Sequence, residues 1–311
     1  MRTCVVGGGG FIGKHLVSLL LGSGREVVVL GRRIESPEGL DGRARYIACD
    51  YAARSQLQSA LVGCEEIIDL AHATVPSTTF ADPVFDLLKN VPASVGLLEA
   101  ASALRGLKRI VMVSSGGTVY GPVQSLPIDE NVPTRPISPY GITKLTVEKY
   151  ALMYQALKGV PAVVVRPANA YGRGQKPFTG QGFIATAMGC ILERNEVAVF
   201  GSAGTIRDYI HVGDIAAGIV CAIDGGVDGD IYNIGSGTGL NNLQILQAIQ
   251  PLAQFAGYEV RTTFLPARGV DVPANVLNAE RLTKLTGWKP KVGLNEGLSE
   301  MWNDLRQTFG R

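Results

Sequence analysis

The chain has 311 residues, 46% of them hydrophobic, and its 29 Lys and Arg against 27 Asp and Glu leave a net charge of +2. Such a composition supplies a full core and excludes a disordered chain. So balanced a charge excludes a broad nucleic-acid face, which depends on neutralising many phosphates, and any phosphate held is expected to be small.

The first apolar run, Cys4 to Val6, turns through Gly7-Gly8-Gly9-Gly10-Phe11-Ile12-Gly13 into a helical pattern over Phe11 to Leu21. Ile12, Leu16, Leu19 and Leu20 share one side of it, and Gly22-Ser23-Gly24 ends it. Absent side chains at Gly7, Gly10 and Gly13 let backbone approach a pyrophosphate, and a helix opening at Phe11 and Ile12 points free amides at the same charge. The spacing is GxxGxxG, not GxGxxG, and a tight turn before an ordinary helix could use the same glycines. The preceding strand favours a dinucleotide site.

The second run, Val27 to Leu30, leads into Gly31-Arg32-Arg33. A carboxylate that would accept bonds from an adenosine ribose is missing there, and two guanidiniums suit a 2′-phosphate. NADP is therefore favoured over NAD; two solvated loop arginines are the alternative.

Further runs at Ile67 to Leu70, Ile110 to Ser114 and Val163 to Arg166 alternate with helical segments. They predict an α/β protein with a doubly wound parallel sheet. Ser138 and Pro139 suit the start of a helix running from Tyr140 towards Leu157. Tyr140 and Lys144 lie one turn apart on it, a phenol and an ammonium that together suit proton transfer at an alcohol. A free phenol has a pKa near ~10, so Tyr140 is expected to need Lys144 and an oxidised nicotinamide to become a base. A chance YxxxK on a surface helix is the competing reading.

After Arg166-Pro167 the pattern loosens into glycine-rich stretches, Gly172 to Gly182 and Gly201 to Gly204, read as substrate loops. The expected division is a dinucleotide domain over 1–168, with residues of about 205–240 returning to it, and a smaller C-terminal α/β substrate domain over 169–311. Cys4, Cys49, Cys64, Cys190 and Cys221 lack zinc spacing and read as reduced packing residues. His15, His72 and His211 show no ligand spacing, so no metal is expected. Asp129-Glu130 reads as a solvent-facing pair without catalysis. Neither a signal peptide nor a membrane span is expected, which points to a cytoplasmic protein.

These residues, with Asn90-Val91, Ser114-Ser115-Gly116-Gly117-Thr118-Val119-Tyr120-Gly121, Arg166-Pro167-Ala168-Asn169, Arg207-Asp208-Tyr209-Ile210-His211-Val212 and Tyr232-Asn233-Ile234-Gly235, occur in the order seen in a known family. The chain resembles the extended short-chain dehydrogenase/reductase family, nucleotide-sugar 4-epimerase type, over nearly its whole length. The resemblance implies a Rossmann domain, tightly bound NAD or NADP, a UDP-sugar substrate and a homodimer formed through helices around Ala93 to Ala103 and Lys144 to Leu157. It places Asp50 at the adenine, Ala71 and Asn90 at the cofactor cleft, and Ser114 and Pro167 beside the nicotinamide. Asn169 would touch the diphosphate, Phe200 would stack on uracil, and Arg207, Arg268 and Asp271 would hold the nucleotide.

Two departures stand out. Family members put Ser or Thr four residues before the tyrosine of their SxxxYG segment, where this chain has Gly116. Thr118, on the same face of an expected strand, is the preferred hydroxyl partner, with Ser115 or a water-bridged site as alternatives. Asn275 stands where galactose-restricted members carry tyrosine, which implies a wider pocket open to N-acetylhexosamines. An NADPH-dependent 4-ketoreductase is the alternative activity, and a non-catalytic dinucleotide sensor is a third.

Overall fold

The computed structural model describes all residues except Ala52, Val270, Gly310 and Arg311. The first half runs β1 (Arg2–Val6), α1 (Phe11–Gly22), β2 (Glu26–Gly31), β3 (Arg45–Ala48), α2 (Arg54–Ala60), β4 (Glu66–Asp69), α3 (Pro76–Thr79), α4 (Pro83–Ser102), β5 (Arg109–Val113), α5 (Gly116–Val119) and α6 (Pro139–Lys158). The second half runs β6 (Ala162–Pro167), β7 (Asn169–Tyr171), α7 (Phe183–Leu192), β8 (Val197–Phe200), β9 (Ile206–His211), α8 (Val212–Gly225), β10 (Ile231–Ile234) and β11 (Gly239–Leu240). It ends with α9 (Asn242–Phe255), β12 (Thr262–Leu265), β13 (Ala274–Asn275), α10 (Glu280–Thr286) and α11 (Leu294–Phe309).

Seven strands form one parallel sheet in the order β10-β6-β5-β4-β1-β2-β3. The apolar runs become its central strands because a sheet covered on both faces buries both sets of alternating side chains, as the fully buried β4 and β6 show. One face packs against α1, α8 and α10 through Leu16, Leu20, Ile215, Ile219 and Leu282. The other packs against α2, α4 and α6 through Leu57, Leu97, Leu98, Val147 and Ala151. Two strands had no clear apolar signal: β3 is a part-exposed edge, and β10 returns from the second half to pair with β6.

A separate core lies among α7, α9, α11 and β8, where Ile184, Met188, Ile249, Met301 and Trp302 meet. Above it β9 pairs with β7, β11 and β13, and β8 pairs with β12. The five cysteines are free, and Cys4, Cys49 and Cys64 are buried. Among the described residues no helix is long and apolar enough to cross a membrane.

One expectation fails here. Glu130 does not face solvent: its side chain is 3% exposed, accepts the Asn233 amide at 2.8 Å and lies 3.6 Å from Arg281. Burial pushes its carboxyl up, and its bond to Asn233 ties β10 to the segment between α5 and α6.

Candidate active site

A cleft of about 950 Å³ opens between the C-terminal edge of the large sheet and the second-half elements. Ligands in open α/β sheets bind at such an edge. Gly7, Gly10, Phe11, Ile12 and Gly13 line one end. A Cβ on Gly13 would stand 2.5 Å from the Gly8 carbonyl oxygen, and one on Gly7, whose φ is +78°, would stand 3.0 Å from the Ala71 nitrogen. Only bare backbone fits that cradle. Gly10 caps α1 with no side-chain hydrogen bond, which leaves the first-turn amides to a phosphate ligand. The cradle and helix end suit a dinucleotide pyrophosphate.

Tyr140 and Lys144 line the middle of the cleft. Ser138 caps α6 by accepting the Gly141 amide at 3.1 Å, and Pro139 occupies the first turn, so the helix starts where it must to aim both side chains inward. Lys144 Nζ donates to the Val113 carbonyl at 2.9 Å and lies 5.9 Å from the Tyr140 ring centre. Burial lowers the Lys144 ammonium to about 8, opposed by Asp69, Glu148 and Asp86. Burial also raises the Tyr140 phenol, and Asp86 adds to the rise. Desolvation penalises the phenolate, so its ionisation depends on positive charge brought near it.

Ser114, Ser115, Thr118, Pro167 and Asn169 line the adjoining wall. Ser114 also donates to Glu148, which pairs with Arg166 at 2.6 Å; Arg166 donates to Tyr120 Oη, and Tyr120 donates to Asn233. This chain of buried groups holds β5, β6, β10 and α6 beneath the cleft. The 116–119 segment is a helical turn, not a strand, so the face argument for Thr118 does not hold. Thr118 nonetheless reaches the cleft, its hydroxyl 3.5 Å from the Ser115 carbonyl. Gly116 has a physical cause: Leu277 Cδ1 would stand 2.4 Å from its Cβ.

At the far end Phe200 closes β8, with the Arg268 guanidinium 4.1 Å from its ring centre and Arg268 Nε donating to Asp271 at 2.8 Å. Arg207 donates to the Val272 carbonyl at 2.7 Å. All four line the cleft. An aromatic face beside guanidiniums suits a nucleobase and its phosphates.

Other candidates lie elsewhere. Asn275 is 2% exposed and donates to the Gly116 carbonyl at 3.0 Å, so it braces the 116–119 turn and is not among the residues that line the cleft. Asn90 is 4% exposed and accepts the Ala73 amide at 2.7 Å, so it holds the loop beyond β4 and does not line the cleft. Ala71 supplies backbone against Gly7. Arg32 and Arg33 are exposed just beyond β2, and Asp50 is exposed beyond β3. His72 and Asp86, unmarked by any motif, stand beside Tyr140.

A model of the NAD dependent epimerase/dehydratase family matches residues 3–235. The chain belongs to that family. Among its relatives is a UDP-glucose 4-epimerase of Mycolicibacterium smegmatis, 32% identical over 96% of this chain and 97% of the relative. A UDP-glucose 4-epimerase structure from Thermotoga maritima with UDP-glucose superposes with a TM-score of 0.93 at 30% identity, covering 99% of both chains. One from Thermus thermophilus in complex with NAD gives 0.90 at 30% identity, covering 98% of this chain and 99% of that one. The α/β sheet architecture is thus that of the family's epimerases.

Proposed function

We propose that this protein is a nucleotide-sugar 4-epimerase that inverts the 4-hydroxyl of a UDP-hexose. The observation that carries the reading is the meeting of three parts in one cleft: the Gly7–Gly13 cradle, the Tyr140 and Lys144 pair, and the Phe200 and Arg268 stack. The kinship with UDP-glucose 4-epimerases supports the same activity.

Gly7, Gly10 and Gly13 admit the dinucleotide, Phe11 and Ile12 open the helix against its phosphates, and Lys144 fixes the ribose side. A nicotinamide held there would supply the hydride acceptor and donor for carbon 4 of the sugar. Tyr140 takes the proton from the 4-hydroxyl and gives it back, and Thr118 or Ser115 holds the reacting oxygen. Asn169, Arg207, Arg268 and Asp271 keep the nucleotide anchored while the 4-keto sugar turns about its diphosphate link and presents its other face.

Arg32 and Arg33 favour NADP over NAD, and they also support the second reading, an NADPH-consuming 4-ketoreductase. The exposed apolar side chains of Phe85 and Leu88 on α4, and of Met153 and Leu157 on α6, support a homodimer through these helices. Free thiols fit the reducing cytoplasm. Incubation with UDP-glucose, UDP-N-acetylglucosamine and UDP-galactose, following product identity and NADPH together, tests the proposal. A 4-epimer formed without net NADPH loss is expected; one NADPH consumed per product contradicts it.

A further inference from the structure

The wall beside Tyr140 carries a buried pair that the chemistry above leaves unused. His72, on the loop after β4, has a side chain 8% exposed, and Asp86, on α4, is 0% exposed. The imidazole packs edge-on against Tyr140, ring centres 4.6 Å apart and planes at 70°. Its Nε2 is buried without a hydrogen-bond partner, yet lies 3.4 Å from Asp86 Oδ1, close enough for a small ring rotation to complete the bond. Asp86 accepts Thr143 Oγ1 at 2.6 Å, Asn90 Nδ2 at 3.1 Å and Thr74 Oγ1. One carboxylate thereby ties the cleft-wall loop to α4 and to α6 one residue before Lys144.

We propose that His72, anchored by Asp86, is a positioning residue for Tyr140: its neutral imidazole braces the phenol ring and screens it from the Asp86 charge. The inference rests on the 4-epimerase reading. Asp86 from α4 acts on Tyr140 and Lys144 from α6 acts on His72, while Asp69 from β4, Glu148 from α6 and Asp86 act on Lys144 in turn. Burial and the Lys144 charge lower His72 to about 2, so it works as a donor and a packing surface and not as an acid. Asp86 opposes ionisation of the phenol. An imidazole N–H turned to the carboxylate disperses that charge and lowers the opposition.

His72→Phe keeps a ring against Tyr140 and deletes the donor. The variant is expected to retain its KM for the UDP-sugar and to lose about tenfold in kcat. The limb of its pH profile set by Tyr140 is expected to move up by about one pH unit, a tenfold change in the ionisation equilibrium. Asp86→Asn removes the charge and is expected to move that limb down; if it does not fold, His72→Phe and its partial rescue by His72→Asn still decide. Fluorotyrosine placed at 140 and titrated by fluorine NMR in the NAD-bound protein reads the same shift without turnover. Wild-type kcat with an unshifted titration in His72→Phe overturns the positioning role. The shift present in a protein that epimerises no UDP-hexose overturns the 4-epimerase reading and leaves the positioning role standing.

Discussion

Lys144 holds its ammonium 5.9 Å from the centre of the Tyr140 ring while it donates to the Val113 carbonyl at 2.9 Å, so the helix and the sheet edge jointly set the distance between the two reacting groups. Its ionisation then controls the upper end of the working pH range. Burial brings Lys144 down to about 8, and turnover is expected to fall as pH rises through that value and the cation is lost. A kcat profile still flat at pH 9.5, about 1.5 above that value, contradicts this.

The same burial costs stability. The unfolded chain keeps the Lys144 proton up to its ordinary 10.5, whereas the folded chain releases it near 8, so between these values the unfolded state binds more protons and stability rises with pH. Lys144→Met abolishes turnover and removes this penalty. The ceiling on its gain in stability at pH 7 is about 3 kcal/mol, a fall of about 2.5 at 1.36 kcal/mol each, less the lost bond to Val113. Urea unfolding at pH 7 and at pH 10 is expected to show the larger difference from wild type at pH 7.

Tyr140→Phe deletes the proton carrier and leaves the cradle intact. A loss of about 10²- to 10⁴-fold in kcat is expected, with dinucleotide affinity unchanged by calorimetry. Retained turnover would take the proton-carrying role away from Tyr140; an unaffected phenotype in cells that carry the variant would favour the non-catalytic sensor.

Arg166 and Glu148 form an ion pair with side chains 2% and 1% exposed. Glu148→Gln strands the guanidinium, and a loss of about 3–5 kcal/mol in denaturant unfolding is expected. Loss of Ser114 order should follow, because Glu148 also accepts its hydroxyl.

Thr118→Val tests which hydroxyl meets the reacting oxygen. A fall of about 10²-fold in kcat is expected, the worth of one donor aimed at developing charge. Full activity in this variant, with loss in Ser115→Ala, moves the role to Ser115.

The central strands, α1 and α6 were legible because apolar runs, glycine turns and the Ser138-Pro139 start are local signals. The edge strand β3 was not, since it depends on a distant neighbour for its pairing, and for β10 only the return of residues of about 205–240 was expected, without the strand or its partner β6. The spacing of Tyr140 and Lys144, and the family resemblance for Asn169, Phe200 and Arg207, pointed to residues that line one cleft. Neither could show that Asn90 and Asn275 face inward, because burial of an amide is decided by backbone groups far away in sequence, Ala73 and Gly116. His72 and Asp86 carry no spacing signal at all; their contact with Tyr140 arises only when the β4 loop and α4 pack on α6.

The most direct test of hydride recycling follows deuterium at carbon 4 of a UDP-hexose through one inversion by the wild-type protein, read by NMR of the product. Retention of the label on carbon 4 of the inverted sugar, with no added nicotinamide consumed, is expected. Washout of the label, or product that forms only as NADPH is spent, contradicts the 4-epimerase.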